Sequence, residues 1–132
     1  PLHQKGWRIY GVDLNRRAIH QARAQSTAGT FFSGADCVAE ARKLASKGRT
    51  FPVIVLDPPR LGADERLWEA LVRLKPEKII YISCNPATFS RDWARLKALS
   101  SAQLLSLQPF DMFPQTYHVE CVGVAALTPR KT

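Results

Sequence analysis

Segments typical of strands alternate with segments typical of helices along the 132-residue sequence. Apolar and β-branched runs predict strands at residues 8–14, 30–33, 51–56, 78–83, 103–107 and 120–127. Helical patterns lie at residues 16–25, 38–47 and 63–74 and from residue 86 onward, and none separates the last two strands. Such alternation is typical of an α/β fold with a largely parallel sheet. Because no linker or repeat interrupts it, we expect residues 1–132 to form one domain.

The net charge of +8, from 19 Lys and Arg against 11 Asp and Glu, favours a polyanionic partner because fixed positive charge attracts phosphates. The basic residues are scattered, however, and many are expected on solvated helix faces. The apolar runs are too short to span a bilayer, and the first residues do not resemble a signal peptide. We therefore expect no membrane partner and a cytoplasmic location.

Three cysteines, Cys37, Cys84 and Cys121, are far apart in the sequence. An odd number without a secretion signal argues against a disulfide framework. The three histidines show no ligand spacing with each other or with a cysteine, so no metal site is expected. Cys37 and Cys121 lack activating neighbours in the sequence and are predicted to be packed thiols.

Polar residues follow four of the predicted strands or their turns: Asp13, Asp36, Asp57 and Cys84. Ligands of open α/β sheets bind at the carboxyl ends of strands, so these residues predict a site at one sheet edge. Asp13 suits a carboxylate that binds ribose hydroxyls, or a helix cap, which Asn15 would provide equally well. Asp36 suits an acceptor for an adenine amino group, or again a helix cap.

The motif DPPR at residues 57–60 ends a continuous apolar run, which predicts a strand buried on both faces. Its two prolines restrict the turn and fix the Asp57 carboxylate at the sheet edge. Similar turns occur in enzymes that methylate exocyclic amines of bases, where an aromatic residue follows for stacking. Arg60 takes that place here, so amine methylation is disfavoured.

Cys84 lies directly before a predicted helix. Asn85 is a favoured N-cap and Pro86 a favoured first helical residue. Free N–H groups and the positive end of the helix dipole favour a thiolate at such a position. A buried structural cysteine is the alternative, and the neighbouring Asp57 turn favours the reactive role.

The aromatic-rich segment at residues 110–121 precedes the last strand and has the right position to cover the site. It puts Glu120 at the start of that strand, as a candidate general base. An exposed glutamate at a strand start is the alternative interpretation, and His118 is a lesser candidate for the base.

Three motifs in this order, DPPR at 57–60, ISCNPATFSRD at 82–92 and FDMFPQTYHVEC at 110–121, resemble the bacterial RNA 5-methyluridine (uracil-C5) methyltransferases. The resemblance covers nearly the whole chain. It implies a Rossmann-like methyltransferase sheet with helices on both faces, S-adenosylmethionine as cofactor, and rRNA or tRNA as partner.

The resemblance also implies the catalytic roles. Cys84 matches the family nucleophile and Glu120 its general base. Addition of the Cys84 thiolate at C6 of uracil makes C5 able to accept a methyl group, and Glu120 then removes the C5 proton. The target base must leave its stack to reach such a pocket.

Binding roles follow in the same way from the matched positions. Asp13 corresponds to the acidic residue at the cofactor ribose and Asp36 to the polar residue near the adenine. Asp57 corresponds to an acidic residue near both the cofactor and the flipped base. Asp57, Arg60 and Asn85 are expected to contact the substrate.

The sequence departs from the family at its start. Only seven residues precede the first predicted strand, and the seven glycines form no GxGxxG cluster, so the family's first strand and Gly-rich loop are expected to be missing. That strand is central in the family, and its loss would leave two strand edges unpaired. We expect a missing N-terminal segment or a homo-oligomer to complete the sheet, and the isolated chain to be inactive. A non-catalytic remnant that binds RNA or a partner is the alternative.

Overall fold

A computed structural model describes residues 2–112, 114–116 and 119–127. After a short 3-10 helix (Leu2–Lys5), the elements are β1 (Ile9–Val12), α1 (Arg16–Ala24), β2 (Thr30–Ser33), α2 (Cys37–Ser46), β3 (Val53–Leu56), α3 (Glu65–Arg73), β4 (Lys78–Ser83), α4 (Pro86–Leu99), β5 (Ala102–Phe110) and β6 (Glu120–Leu127). The predicted α/β class is confirmed, and β2, β4 and β6 begin and end at the predicted residues. In the part of the chain described, no helix is long and apolar enough to cross a membrane.

Each α-helix begins at a side chain that caps it. The N-caps are Asn15, Asp36, Asp64 and Asn85, and each side chain accepts a hydrogen bond from a backbone N–H two or three residues further on. These bonds satisfy N–H groups that have no partner inside the helix. Short polar side chains placed directly after strands or loops therefore fix where the helices start.

The strands form two sheets. β1 pairs in parallel with β2, and a second sheet has the order β3-β4-β6-β5. The β3–β4 pair is parallel, whereas β4–β6 and β6–β5 are antiparallel. The sheet is thus mixed, and the prediction of a largely parallel sheet was wrong at its β5–β6 end. A connection without a crossover helix joins neighbouring strands antiparallel, and no helical pattern lies between these two.

The main core lies between the four-stranded sheet and a helix layer in which α3 contacts both α2 and α4. Trp68 of α3 and Ile79 of β4 are each 1% exposed. The Tyr81 ring lies between those of Trp68 and Phe89, with centroid distances of 5.6 and 5.4 Å. Gly123 of β6 admits the Phe89 ring, since a Cβ there would lie 2.5 Å from two ring carbons.

The strand β3 differs from its prediction as a strand buried on both faces. Among the described residues its only strand partner is β4, and Val55 is 49% exposed. β1 likewise pairs only with β2 in that part of the chain. Tyr10 of β1 packs edge-on against Phe51, just before β3, at a centroid distance of 5.8 Å. The two strands are therefore close in space without sharing a hydrogen-bonded ladder.

Candidate active site

Cys84 and Glu120 come together at one end of the β4–β6 pair. Ser83, the last residue of β4, lies opposite Cys121, so Cys84 and Glu120 both flank this last pair of the ladder. Burial raises the pKa of the Cys121 thiol, and the charges of Glu120 and Cys84 raise it further. All three side chains therefore share one neighbourhood.

The turn that carries Cys84 is held by its neighbours. The Ser83 hydroxyl accepts a hydrogen bond from the Asn85 N–H at 3.2 Å and donates one to the Asn85 carbonyl at 3.0 Å. The Asn85 side chain accepts from the Ala87 N–H at 3.0 Å and caps α4, with Pro86 as its first residue. Cys84 is half-buried directly before the helix N-terminus, as predicted.

Asp57 and Arg60 lie beside this turn. Asp57 follows β3, whose last residue pairs with Tyr81, three residues before Cys84. Arg60 is exposed within a turn closed by a 2.8 Å hydrogen bond from the Gly62 N–H to the Pro59 carbonyl. The structure therefore places the DPPR turn and the Cys84 turn at the same edge of adjacent parallel strands.

Asp13 and Asp36 meet at the corresponding edge of the two-stranded sheet. Asp13 accepts a hydrogen bond from the Asn15 N–H at 2.7 Å, and Asn15, not Asp13, caps α1. Asp36 caps α2 through a 2.9 Å bond from the Ala39 N–H. Burial raises the pKa of the Cys37 thiol, and the charges of Asp36 and Asp13 raise it further, so both carboxylates lie near one sulfur.

The remaining predictions concern Cys37 and Cys121, the alternative base His118, and a metal site. Cys37 is half-buried and Cys121 buried, and burial raises the pKa of each thiol, in agreement with the prediction of packed thiols. His118, the lesser candidate for the base, lies outside the described residues. Within the described ranges no cluster of three or more His, Cys, Asp and Glu side chains could hold a metal ion.

Asp92 is a buried carboxylate near these turns, and the sequence patterns assigned it no role. It lies on α4 three residues after Phe89 and four before Leu96, and all three are buried. This spacing puts a carboxylate in the middle of the apolar face of the helix, which is the signal that identifies it. Its hydrogen bonds reach the loop after the DPPR turn and the strand before Cys84.

The sequence profile of the tRNA (uracil-5-)-methyltransferases matches residues 39–127 of the chain. A curated relative from Clostridium tetani, described as an uncharacterized RNA methyltransferase, is 38% identical over 125 residues. The match covers 92% of this chain and 27% of that relative. The chain thus spans little more than a quarter of the length of the relatives it matches.

Solved structures similar to this chain are also methyltransferases. The crystal structure of the Pyrococcus abyssi tRNA (uracil-54, C5)-methyltransferase in complex with S-adenosyl-L-homocysteine is similar, with 34% identity and a TM-score of 0.76. It matches 95% of this chain and 30% of its own. The N-methyltransferase NodS from Bradyrhizobium japonicum shares the fold, with 17% identity, a TM-score of 0.64, and coverage of 92% and 74%. The predicted Rossmann-like methyltransferase fold is confirmed.

Proposed function

Since the chain belongs to the tRNA (uracil-5-)-methyltransferase family, we propose that its residues form one partial catalytic domain that methylates C5 of uridine in RNA. The observation that carries the proposal is the pair at the end of the β4–β6 ladder. A thiol directly before a helix N-terminus and a carboxylate at the start of the neighbouring strand lie at the same end of this ladder. These are the two groups that covalent activation of a pyrimidine needs.

The thiol of Cys84 acts first. Its thiolate adds to C6 of the flipped base, and the electrons of the C5–C6 double bond move toward the O4 carbonyl, which makes C5 an enolate carbon. The place of Cys84 directly before the N-terminus of α4 supports this step, because the positive end of a helix dipole stabilises negative charge that develops beside it. S-adenosylmethionine supplies an electrophilic methyl group when bound.

Glu120 completes the reaction. Once C5 carries both the methyl group and its original hydrogen, the Glu120 carboxylate removes that proton. The released electron pair restores the C5–C6 double bond and expels the Cys84 thiolate, so the enzyme regains its nucleophile. The place of Glu120 at the Cys84 end of the ladder supports this role, since C5 and C6 are adjacent atoms of one ring.

The carboxylates of the two-stranded sheet fit a nucleoside. Asp13 and Asp36 stand at the ends of adjacent parallel strands, and carboxylates accept hydrogen bonds from ribose hydroxyls and from an adenine amino group. These two residues would hold S-adenosylmethionine, with Asp57 between the cofactor and the base. Arg60 and Asn85 would contact the RNA beside the target uridine.

Transfer RNA and ribosomal RNA are both candidate substrates. The net charge of +8 supports a polyanionic partner, and the Pyrococcus abyssi relative acts on tRNA, as its description states. Methylation of tRNA and rRNA transcripts side by side would discriminate between them. The cytoplasmic location of the protein stays a prediction.

A further strand is proposed to complete the sheet between β1 and β3. In the part of the chain described, each of these strands has a ladder on one side only, and buried unpaired backbone groups are costly. A further segment of the protein or a second copy would supply the strand. The isolated 132-residue chain is accordingly proposed to bind S-adenosylmethionine weakly and to transfer no methyl group.

The catalytic proposal is tested in the complete protein, meaning these residues with whatever its gene encodes on either side. Methyl transfer from labelled S-adenosylmethionine to uridine-containing RNA is measured beside adduct formation with 5-fluorouridine RNA, whose C5–F bond yields no proton. Cys84→Ala abolishes both signals, whereas Cys37→Ala, a change at another half-buried thiol, keeps both. Full turnover by Cys84→Ala would overturn the proposal. RNA binding by the unaltered complete protein without any methyl transfer would favour the alternative, a non-catalytic remnant that binds RNA.

The sheet proposal has its own test. Calorimetric titration of S-adenosylhomocysteine compares the 132-residue chain with the complete protein. Much weaker binding by the chain alone is expected, and micromolar affinity of the chain alone would contradict it.

A further inference from the structure

Asp92 is a buried carboxylate with 1% of its surface exposed. Burial of an ionised carboxylate is costly unless hydrogen bonds replace its water. Its Oδ2 accepts from the Tyr81 hydroxyl at 2.6 Å and from the Ala63 N–H at 2.7 Å. Its Oδ1 accepts from the Arg91 guanidinium at 2.9 and 3.0 Å and from Arg95 at 3.4 Å. One side chain therefore joins β4, α4 and the loop between β3 and α3.

The same loop is held at a second point. The Arg91 guanidinium, bound to Asp92, also donates to the Leu61 carbonyl at 2.6 Å. Gly62 lies between the two anchored residues with a φ of +80°, and a Cβ there would clash with Arg91 and lie 2.5 Å from Asp92 Oδ2. Only glycine suits both that backbone conformation and that space. The loop is thus closed tightly onto the Asp92–Arg91 pair.

The anchored loop follows β3 and the proposed nucleophile Cys84 follows β4, so they belong to two adjacent strands of the proposed site. The loop begins with Asp57 and Arg60, and its anchor follows directly after them. The anchor itself is on α4, the helix that starts immediately after the Cys84 turn, and Tyr81 is on the strand that leads into that turn. Asp92 therefore connects both chain segments that flank Cys84 to the segment that carries Asp57 and Arg60.

We propose that Asp92, together with Arg91, is a positioning residue that sets the place of the DPPR turn relative to the Cys84 sulfur. The inference rests on the proposed uracil methylation and concerns residues that contact neither base nor cofactor. Reacting atoms must meet at about 3–3.5 Å, and a shift of about 1 Å from a remote change lowers rates by about a hundredfold. A carboxylate that only stabilised the fold would leave this geometry unchanged in every variant that folds.

Two variants weaken the anchor in different ways. Asp92→Asn keeps the volume but replaces one acceptor oxygen by a donor, so either the loop side or the guanidinium side loses its partner. Arg91→Lys keeps the positive charge for RNA, but an ammonium does not reproduce the fork that reaches both Asp92 and Leu61. The Arg91 side chain is 43% exposed, so this variant folds even if Asp92→Asn does not.

The matched control is Glu40→Gln. Glu40 is the other buried carboxylate among the described residues, and it bonds to Tyr10 and Lys43, away from the DPPR turn. It therefore reports the effect of removing a buried negative charge without touching the anchor.

Amide hydrogen exchange of residues 61–63 is measured in the chain, and kcat and KM for RNA are measured in the complete protein. Asp92→Asn is expected to speed exchange of the Ala63 amide by at least about tenfold more than its change in global stability accounts for. It is also expected to lower kcat by about 10- to 100-fold, with KM changed less than about threefold. Arg91→Lys is expected to change the Ala63 exchange rate and kcat in the same directions, each by about three- to tenfold. Glu40→Gln is expected to change neither the corrected exchange rate nor kcat.

The outcomes separate this inference from the function on which it rests. If methylation depends on Cys84 while Asp92→Asn and Arg91→Lys match Glu40→Gln in exchange and kcat, the positioning role is overturned and the proposed function stands. If the unaltered complete protein transfers no methyl group, the proposed function fails. Exchange at Ala63 then still decides whether Asp92 anchors the loop.

Discussion

The two sheets hold their polar residues in different ways. In the four-stranded sheet, Cys84 and Glu120 lie at the end of a ladder whose other face packs on α3 and α4. In the two-stranded sheet, Asp13 and Asp36 are exposed, and β1 has one strand neighbour among the described residues. The proposed catalytic pair thus lies at the end of a sheet that packs on the core, whereas the proposed cofactor residues lie on a part of the fold that gains most from a further strand.

The largest expected effect concerns the four-stranded sheet. Glu120→Gln should lower methyl transfer by about 10²- to 10⁴-fold, because the amide does not remove the C5 proton. Cys84 should still add to the base, so a methylated covalent adduct accumulates on a denaturing gel. Glu77→Gln, at an exposed site before β4, is the control. Equal turnover by the two variants would remove Glu120 from the mechanism.

The next effect tests the difference in packing. Gly123→Ala should lower the free energy of unfolding by about 1–3 kcal/mol, because its Cβ would overlap the Phe89 ring. Gly34→Ala, beside the two-stranded sheet, should stay within about 0.5 kcal/mol, since its nearest contact would be Ile19 at 3.8 Å. Urea unfolding of the chain measures both. Equal losses would break the contrast between the sheets.

A smaller effect is expected from the cofactor residues. Asp13→Asn in the complete protein should weaken S-adenosylhomocysteine binding by about tenfold, as for one lost charged hydrogen bond, without changing stability. Asp64→Asn, an exposed cap that also remains a good cap as Asn, should leave affinity unchanged. Calorimetric titration of both variants decides whether Asp13 binds the cofactor or only shapes its turn.

The smallest effect is a pH dependence at the junction of β1 and α2. The Tyr10 hydroxyl donates to Glu40 at 2.6 Å and, with Lys43, lowers the pKa of that carboxyl from its ordinary value of 4.5. Its contribution is present above that value and is lost as the pH falls through the lowered pKa of the folded state. Glu40→Gln should remove roughly 1 kcal/mol of stability at pH 7. The urea unfolding midpoint of this variant should also decrease less as the pH is lowered into the acidic range. An unchanged decrease of the midpoint at acidic pH would contradict a stabilising role for the Tyr10–Glu40 hydrogen bond.

Local chemistry explains why most elements were predictable. The helices start at Asn and Asp caps, and the strands carry apolar runs that end at Pro or polar residues, so short sequence windows determine both. The exposure of β3 was not predictable in this way. Whether an apolar strand is covered on both faces depends on residues elsewhere in the chain, and Val55 of β3 is left 49% exposed.

The sequence by itself determined that Cys84 precedes a helix N-terminus, because Asn85 and Pro86 act on their own backbone. Only the tertiary structure brought Glu120 to the same end of the β4–β6 ladder. Alternate residues of β6, from Cys121 to Leu127, are buried, and a slip of one residue would turn all of them outward. The packing of α4 likewise brought Asp92 to the loop that follows the DPPR turn. The register of a packed sheet is a property of the whole core, so no local pattern contains it.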